Sequence, residues 1–204
     1  MEYEKGATKG AFSIKSSHTE QAQSSIPAET TLDVVCRPVA AEQTLPLRHS
    51  VLWPDKPISH VLLPEDTKGL HLGAFVASRD HPVAVISLFI KPLPDPIYFQ
   101  SSQGGAGLQV RFRKFACDTT FQGRGIGSKL LQYGLSAART ELDGTMVWCD
   151  ARVTSRHWYT KRGLVPLGEI FLKGSVEYIR MYIDVGVSVP VKRDPYMQHE
   201  NDFQ

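Results

Sequence analysis

The chain has 204 residues and a mass of 22.7 kDa, which suits one domain with a sizeable core. A hydrophobic content of 42% and a charged content of 22% are ordinary for globular proteins, and they exclude collagen-like, disulfide-knot and wholly disordered classes. The net charge of +2 argues against a protein that binds nucleic acid.

No segment of the sequence indicates a membrane or an export route. The longest largely apolar run, Val83 to Ile90, is far shorter than the roughly 20 residues that span a bilayer. The residues after Met1 lack the apolar segment of a secretory signal. The three cysteines have no paired spacing, so neither a disulfide framework nor a zinc knuckle is expected. We therefore expect a cytoplasmic protein without a membrane partner.

The sequence divides into a flexible N-terminal arm (1–30), a single domain (31–189) and a C-terminal tail (190–204), because the two ends are too polar to form a core. Apolar periodicity and turn residues predict the elements of the domain. In chain order they are a strand over Thr31 to Val39, a helix over Ala40 to Trp53, a hairpin of strands His71 to Ser78 and Pro82 to Lys91, a strand over Leu108 to Cys117, a helix over Gly125 to Leu142, a strand over Thr145 to Asp150, a short helix over Ser155 to Arg162, and two strands between Val165 and Val185. The segment from Pro92 to Gly107 is rich in Pro and Gly and long enough to be a lid. This order predicts a mixed α/β sheet with antiparallel arms.

Positive charge is concentrated in one segment. Between Arg111 and Arg162 there are ten basic and four acidic residues, which gives this stretch +6 and leaves −4 for the rest of the chain. A local excess of this size indicates a surface that meets an anion. The alternative is that these residues are solvated surface charges.

The same segment contains a glycine loop between a strand and a helix. Glycines stand at positions 123, 125 and 127, and the loop opens directly onto the predicted helix. Glycine permits a close approach of the backbone to a ligand, and a helix N-terminus offers free N–H groups, so the loop predicts a phosphate cradle assisted by Arg124 and Lys129. The third glycine of a dinucleotide fingerprint is missing, and Gly127-Ser-Lys reverses the order of a P-loop. A ligand-free turn is the remaining alternative.

The segment Gln122-Gly-Arg-Gly-Ile-Gly127 resembles the Gln/Arg-x-x-Gly-x-Gly/Ala signature of the GNAT superfamily of acyl-coenzyme A N-acyltransferases. The resemblance implies a mixed, mostly antiparallel central sheet with a splayed central strand pair flanked by helices. It also implies two sets of donor-binding residues. They are Phe115, Ala116 and Cys117 for the pantetheine, and Gln122, Gly123, Arg124, Gly125, Ile126, Gly127 and Ser128 for the pyrophosphate.

A second stretch, Trp148 to Leu164, is similar to the strand, short helix and aromatic-Tyr pattern of the same family. By that resemblance Tyr159 is the general acid for the thiolate leaving group, and Ser155 lies near the cofactor. A phenol with a pKa of about 10 is protonated at neutral pH and able to donate. Many relatives carry a Glu on the strand before the loop, but this sequence has basic residues there. Asp150 is the expected substitute as general base. The alternatives are a water chain to solvent as the base, and a structural role for Asp150 as a helix N-cap or in a salt bridge to Arg152.

The sequence thus predicts an N-acetyltransferase that uses acetyl-coenzyme A and an amine-bearing acceptor, without a metal. His49, His60 and His71 lie eleven residues apart, a spacing that is not typical of metal ligands. We expect them to be surface or packing residues, and His71 is also a candidate for lining an acceptor pocket. An amino acid, a polyamine, an aminoglycoside and a protein N-terminus all stay open as acceptors, and a homodimer is one candidate assembly. The alternatives in function are an inactive coenzyme A-binding regulatory module and a nucleotide-binding oxidoreductase.

Overall fold

Seven strands form one sheet in the part of the chain that the structure, a computed structural model, describes, residues 32–94 and 107–186. The strands are β1 (Val34–Pro38), β2 (Leu70–Val76), β3 (Ala84–Ile90), β4 (Leu108–Cys117), β5 (Gly144–Arg152), β6 (Val165–Lys173) and β7 (Val176–Asp184). Their order across the sheet is β1-β2-β3-β4-β5-β7-β6, and every neighbouring pair is antiparallel except β4 with β5. The predicted mixed, mostly antiparallel sheet is confirmed.

The parallel pair at the centre of the sheet separates halfway along its length. Pairing between β4 and β5 ends where Arg111 lies opposite Trp148. Beyond that point β4 stays paired with β3 as far as Cys117, and β5 stays paired with β7 as far as Arg152. The facing edges of the two strands therefore part and leave backbone groups without a strand partner, as the predicted splayed pair requires.

A β-bulge in β4 lies on the splayed side. Two residues of β4, Lys114 and Phe115, lie opposite the single residue Ile86 of β3. Lys114 takes a φ of +52°, a left-handed conformation that is uncommon outside glycine. Such an extra residue bends the strand and redirects its side chains.

Three α-helices accompany the sheet in the described ranges: α1 (Ala41–Leu47), α2 (Ile126–Thr140) and α3 (Arg156–Thr160). Helix α2 buries the stripe formed by Ile126, Leu130, Leu131, Ala137 and Ala138. These residues join the main core with side chains from β2, β3 and β5, so α2 lies flat on the sheet. This packing fixes the start of α2 next to the end of β4. None of the described helices is both long and apolar enough to cross a membrane.

The predicted elements agree with the structure to within a few residues, with two informative differences. The predicted helix over Ala40 to Trp53 is α1 followed by a π-helical turn, Arg48–Leu52. Strand β5 extends to Arg152, two residues beyond the prediction, because it pairs with β7 along that length. The predicted arm, the tail and most of the loop over Pro92 to Gly107 lie outside the described residues, so those predictions stay untested.

Candidate functional site

The parting of β4 and β5 opens a cleft of about 490 Å³. Its walls come from both splayed strands, from α3 with the turn before it, from β6 and β7, and from the π-helical turn after α1. The residues that line it include Val51, Leu52, Trp53, His60, Arg111, Arg113, Lys114, Phe115, Gln122, Asp150, Arg152, Ser155, Tyr159, Lys173 and Tyr178. Five predicted site residues are among them: Phe115, Gln122, Asp150, Ser155 and Tyr159.

The glycine loop connects the splayed end of β4 to α2. Gly123 and Gly125 have φ values of +75° and +79°, and a Cβ at either position would meet no atom within 4 Å. The first i to i−4 bond of α2 runs from Lys129 N to Gly125 O at 3.0 Å. The amides of residues 126–128 therefore have no acceptor within the helix and are free for an anion. Gln122 closes the loop by donating from Nε2 to the carbonyl of Cys117 at 2.9 Å.

Tyr159 lies on α3 with its ring packed among aromatic side chains. Its ring centroid is 5.8 Å from that of Phe112, 6.5 Å from that of Phe115 and 5.0 Å from that of Trp158. The residue is 8% exposed and lines the cleft. Burial, with a contribution from nearby Cys149, raises the pKa of Tyr159 well above its ordinary value. The phenol consequently keeps its proton throughout the neutral range.

Arg162 holds α3 against the start of α2. Its Nε and Nη2 atoms donate to Ser128 Oγ at 2.9 and 2.5 Å, and its Nη1 donates to the carbonyl of Trp158 at 2.7 Å. The guanidinium also stacks 3.6 Å from the centroid of the Trp158 ring. Ser128 was predicted to bind the donor through its amide. The structure shows that its hydroxyl is already an acceptor for Arg162, a residue that the sequence analysis did not single out.

Asp150 lies in the cleft and is surrounded by three cations. Its carboxylate accepts from Arg111 at 2.6 Å, from Lys173 at 2.7 Å and from Arg180 at 3.0 Å. Burial raises the pKa of Asp150, but the hydrogen bond from Lys173 and the charges of all three cations outweigh it, and the net pKa is lowered. A carboxylate with a lowered pKa is a weak proton acceptor, so the arrangement favours a structural role over the predicted general base. The ion pairs involve these three residues and not Arg152.

The other predicted donor-binding residues lie around the cleft. Ala116 is buried in a small cluster with Leu47 and Val85, which leaves its backbone as the group available to a ligand. Cys117 is half-buried, and burial raises the pKa of its thiol, so nothing activates it. Arg124 is exposed beside Phe121, with its guanidinium carbon 5.5 Å from the ring centroid. In the described ranges, no group of three His, Cys, Asp or Glu side chains could hold a metal ion.

A buried polar network that the sequence analysis missed holds one wall of the cleft. Arg48, fully buried on the π-helical turn, donates to both carboxylate oxygens of Asp66 at 2.8 and 3.0 Å and to Ser87 Oγ at 2.6 Å. His71 donates from Nε2 to the carbonyl of Asp66 at 2.8 Å, and its Nδ1 is 2.7 Å from the Ser87 hydroxyl. His71 is therefore a packing residue and does not line the cleft. The network fixes the turn that carries Val51, Leu52 and Trp53.

Comparison with known proteins agrees with this geometry. The model of the acetyltransferase (GNAT) family matches residues 40–164. The uncharacterized N-acetyltransferase YitI of Bacillus subtilis (strain 168) is 28% identical over 147 residues, which are 71% of this chain and 91% of that protein.

Two solved structures show the same fold at low identity. An acyl-CoA N-acyltransferase from Pseudomonas aeruginosa has a TM-score of 0.51 and 21% identity, covering 74% of this chain and 98% of its own. FeeM, an N-acyl amino acid synthase from uncultured soil microbes, has a TM-score of 0.58 and 18% identity, covering 76% and 92%. With the family model covering more than half of the chain, this protein belongs to the acetyltransferase (GNAT) family.

Proposed function

We propose that the protein transfers an acetyl group from acetyl-coenzyme A to the primary amine of an acceptor. The observation that carries the proposal is one continuous arrangement. A cleft between two parting strands leads from a glycine loop and a helix N-terminus to a buried, protonated tyrosine. A ligand-free turn would not need the open cleft, and a dinucleotide site would not need the splayed strands.

The residues present fit the donor. The free amides of residues 126–128 and the positive end of the α2 dipole suit a pyrophosphate. The open space at Gly123 and Gly125 lets a ligand approach the backbone closely. The unpaired edge of β4, at Phe115 to Cys117, offers backbone groups to an extended amide-bearing chain such as pantetheine.

The reaction is direct attack of a neutral amine on the thioester that the donor supplies. Amides on the unpaired edge of β4 polarise the thioester carbonyl, and their fixed position means that little reorganisation is needed as charge develops on the oxygen. As the C–S bond breaks, Tyr159 donates its phenolic proton to the departing thiolate. The nitrogen releases one proton to water as the amide forms, and water returns a proton to the phenolate. The raised pKa of Tyr159 keeps the phenolic proton in place until it is required.

We propose that no carboxylate acts as general base. Asp150 is held in three ion pairs with a lowered pKa, and Glu65, the next carboxylate in this region, pairs with Arg113. The acceptor amine therefore enters deprotonated or loses its proton to water in the cleft. The rate should then rise with the neutral fraction of the acceptor, and removing Asp150 should alter stability before it alters proton transfer.

Calorimetric titration with acetyl-coenzyme A, with NADH and ATP as parallel controls, tests the donor site first. Micromolar binding of the acyl donor alone supports the proposal and excludes the oxidoreductase alternative. Binding without transfer to any amine would support the inactive regulatory module instead. A folded sample that does not bind acetyl-coenzyme A would show that the glycine loop is only a turn.

Cytoplasmic location and a homodimeric assembly stay predictions. Fractionation of cells that express the full chain tests the first. Sedimentation equilibrium tests the second.

A further inference from the structure

The cleft carries far more positive than negative charge. Among the described residues, five cationic side chains line it: Arg111, Arg113, Lys114, Arg152 and Lys173. Arg180 adds a sixth through its contact with Asp150. Two carboxylates pair with them, Asp150 and Glu65, while Asp66, which also acts on Lys114, is neutralised by its own ion pair with Arg48. The excess of four positive charges lies in a partly enclosed space, where charges are less screened than on an open surface.

Two of these cations are incompletely compensated. Lys114 is half-buried at the β-bulge and makes no ion pair within the described ranges, while burial, with the charges of Arg113 and Arg48, lowers its pKa. Arg111 pairs with Asp150, but its Nε is buried without a hydrogen-bond partner in the same part of the chain. A half-buried cation without an ion pair is costly, and an anionic ligand beside Lys114 would relieve that cost.

Part of the cleft wall carries apolar side chains, with one cation beside them. The guanidinium carbon of Arg152 is 5.6 Å from the centroid of the Trp53 ring, and its Nη2 donates to the carbonyl of Leu52. Val51, Leu52 and Trp53 line this part of the wall from the π-helical turn that Arg48 anchors, and all three are only partly buried. Trp53 also packs edge-on against His60, with ring centroids 4.9 Å apart. Apolar side chains that stay accessible in a cleft suit a ligand with an apolar part. The cleft therefore offers both cationic and apolar groups to one small molecule.

Arg111, in the first half of β4, is poorly placed to bind the donor phosphates. Strand β4 rises about 3.3 Å per residue, so Arg111 lies about 20 Å from the strand end at Cys117 that leads into the glycine loop. That loop already provides the free amides and Arg124. The charge at the Arg111 end is therefore available to the acceptor.

We propose that the acceptor is an α-amino acid with an apolar side chain, whose carboxylate is bound by Lys114 and Arg111. This inference rests on the proposed function, since it names the second substrate of the same reaction. The excess of cations argues against a polyamine acceptor, because each added ammonium group would be repelled. The apolar part of the cleft wall favours an amino acid over an amino-sugar phosphate, which carries the anion without an apolar part.

A matched pair of acceptors tests the carboxylate directly. L-Leucine and L-leucinamide share a side chain and an amine, and the amide has the more acidic ammonium group, so simple amine reactivity favours the amide. We expect the opposite order, with kcat/KM at least tenfold higher for L-leucine at saturating acetyl-coenzyme A. Spermidine and glucosamine 6-phosphate complete the panel, and preferred turnover of either would overturn the inference.

Substitution at Lys114 tests the residue. Position 114 has a left-handed backbone conformation, which costs Met about as much as it costs Lys. Lys114→Met therefore removes the charge without a new conformational cost. We expect KM for L-leucine to rise roughly tenfold, as for the loss of one charged hydrogen bond, with KM for acetyl-coenzyme A unchanged. Lys114→Arg should restore most of the preference. Arg139→Gln, an exposed change at the end of α2, controls for total charge.

The outcomes separate this inference from the proposed function. Transfer to L-leucinamide at least as fast as to L-leucine refutes the amino-acid acceptor but leaves the N-acetyltransferase intact. An unchanged preference in Lys114→Met refutes the role of Lys114. Binding of acetyl-coenzyme A without transfer to any member of the panel counts against the inference, whereas no binding at all overturns both.

Discussion

Replacing Tyr159 with Phe isolates the phenolic hydroxyl from the rest of the side chain. The ring contacts with Phe112, Phe115 and Trp158 stay in place, because they involve ring atoms that both residues share. No hydrogen bond joins the hydroxyl to another residue in the described ranges, so the native state loses no protein partner. We expect the free energy of unfolding to change by less than about 1 kcal/mol.

The expected effect on catalysis is much larger than the effect on stability. General acid catalysis contributes about 10² to 10⁴ in rate, and water in the open cleft can supply part of the proton transfer when the phenol is missing. We therefore expect kcat to fall tenfold or more, a barrier increase of at least about 1.4 kcal/mol. KM and Kd for acetyl-coenzyme A should be nearly unchanged, because the proposed donor contacts are backbone groups of the glycine loop and of the β4 edge, which the substitution leaves in place.

Steady-state release of free coenzyme A thiol measures this effect, with calorimetry for donor affinity and thermal unfolding for stability. The raised pKa of Tyr159 means that the wild-type enzyme loses no activity through this group until the pH exceeds about 10. The defect of Tyr159→Phe should therefore be the same between pH 7 and 9. Tyr133→Phe on α2 is the matched control. An unaltered kcat in Tyr159→Phe would remove Tyr159 from the mechanism.

Three further predictions concern the loop and the two buried ion-pair clusters. Gly125→Glu should abolish binding of acetyl-coenzyme A in calorimetry, because the side chain is bulky and its charge repels the donor phosphates. Gly125→Ala bears the same backbone strain without the charge and should bind measurably. Tight binding by the Glu variant would mean that the phosphate site lies elsewhere. Asp150→Asn should cost about 3 kcal/mol in denaturant unfolding by leaving Arg111 unpaired. Because the pKa of Asp150 is lowered in the folded state, its contribution to stability is present above about pH 4 and is lost as the pH falls through the folded pKa. Asp150→Asn should therefore lose less stability on acidification than the wild-type protein does. Parallel dependence of the two stabilities on pH would contradict this prediction. Arg48→Lys should also lower the free energy of unfolding by about 3 kcal/mol, because an ammonium group cannot replace the bidentate contact with Asp66. Wild-type stability in this variant would refute the structural role of the network.

The elements and the glycine loop could be predicted because their signals are local in the sequence. Residue composition predicted β4 at its observed bounds, and the apolar stripes of a helix predicted α2 to within two residues of its bounds. The glycines at 123 and 125 marked positions that do take a positive φ. Tyr159 was found through its resemblance to a family motif, and the structure places it in the cleft.

Contacts between residues far apart in the chain could not be predicted in this way. Asp150 meets Arg111 across 39 positions and Arg180 across 30, and only strand register decides that both face the same carboxylate. The bulge at Lys114 likewise depends on how β4 pairs with β3. For this reason Asp150 was expected to be a general base, whereas its surroundings hold it as an ion-paired carboxylate.

The sequence by itself determined the family, the order of the elements and the position of the glycine loop, because each depends on residues close together in the chain. Tertiary structure decided where β4 and β5 part, which side chains share the cleft and which charges there remain uncompensated. Those properties depend on strand register and on the packing of distant segments such as Arg48 against Asp66. The pKa of a group and the charge offered to an acceptor are set by neighbours in space, and only the fold brings those neighbours together.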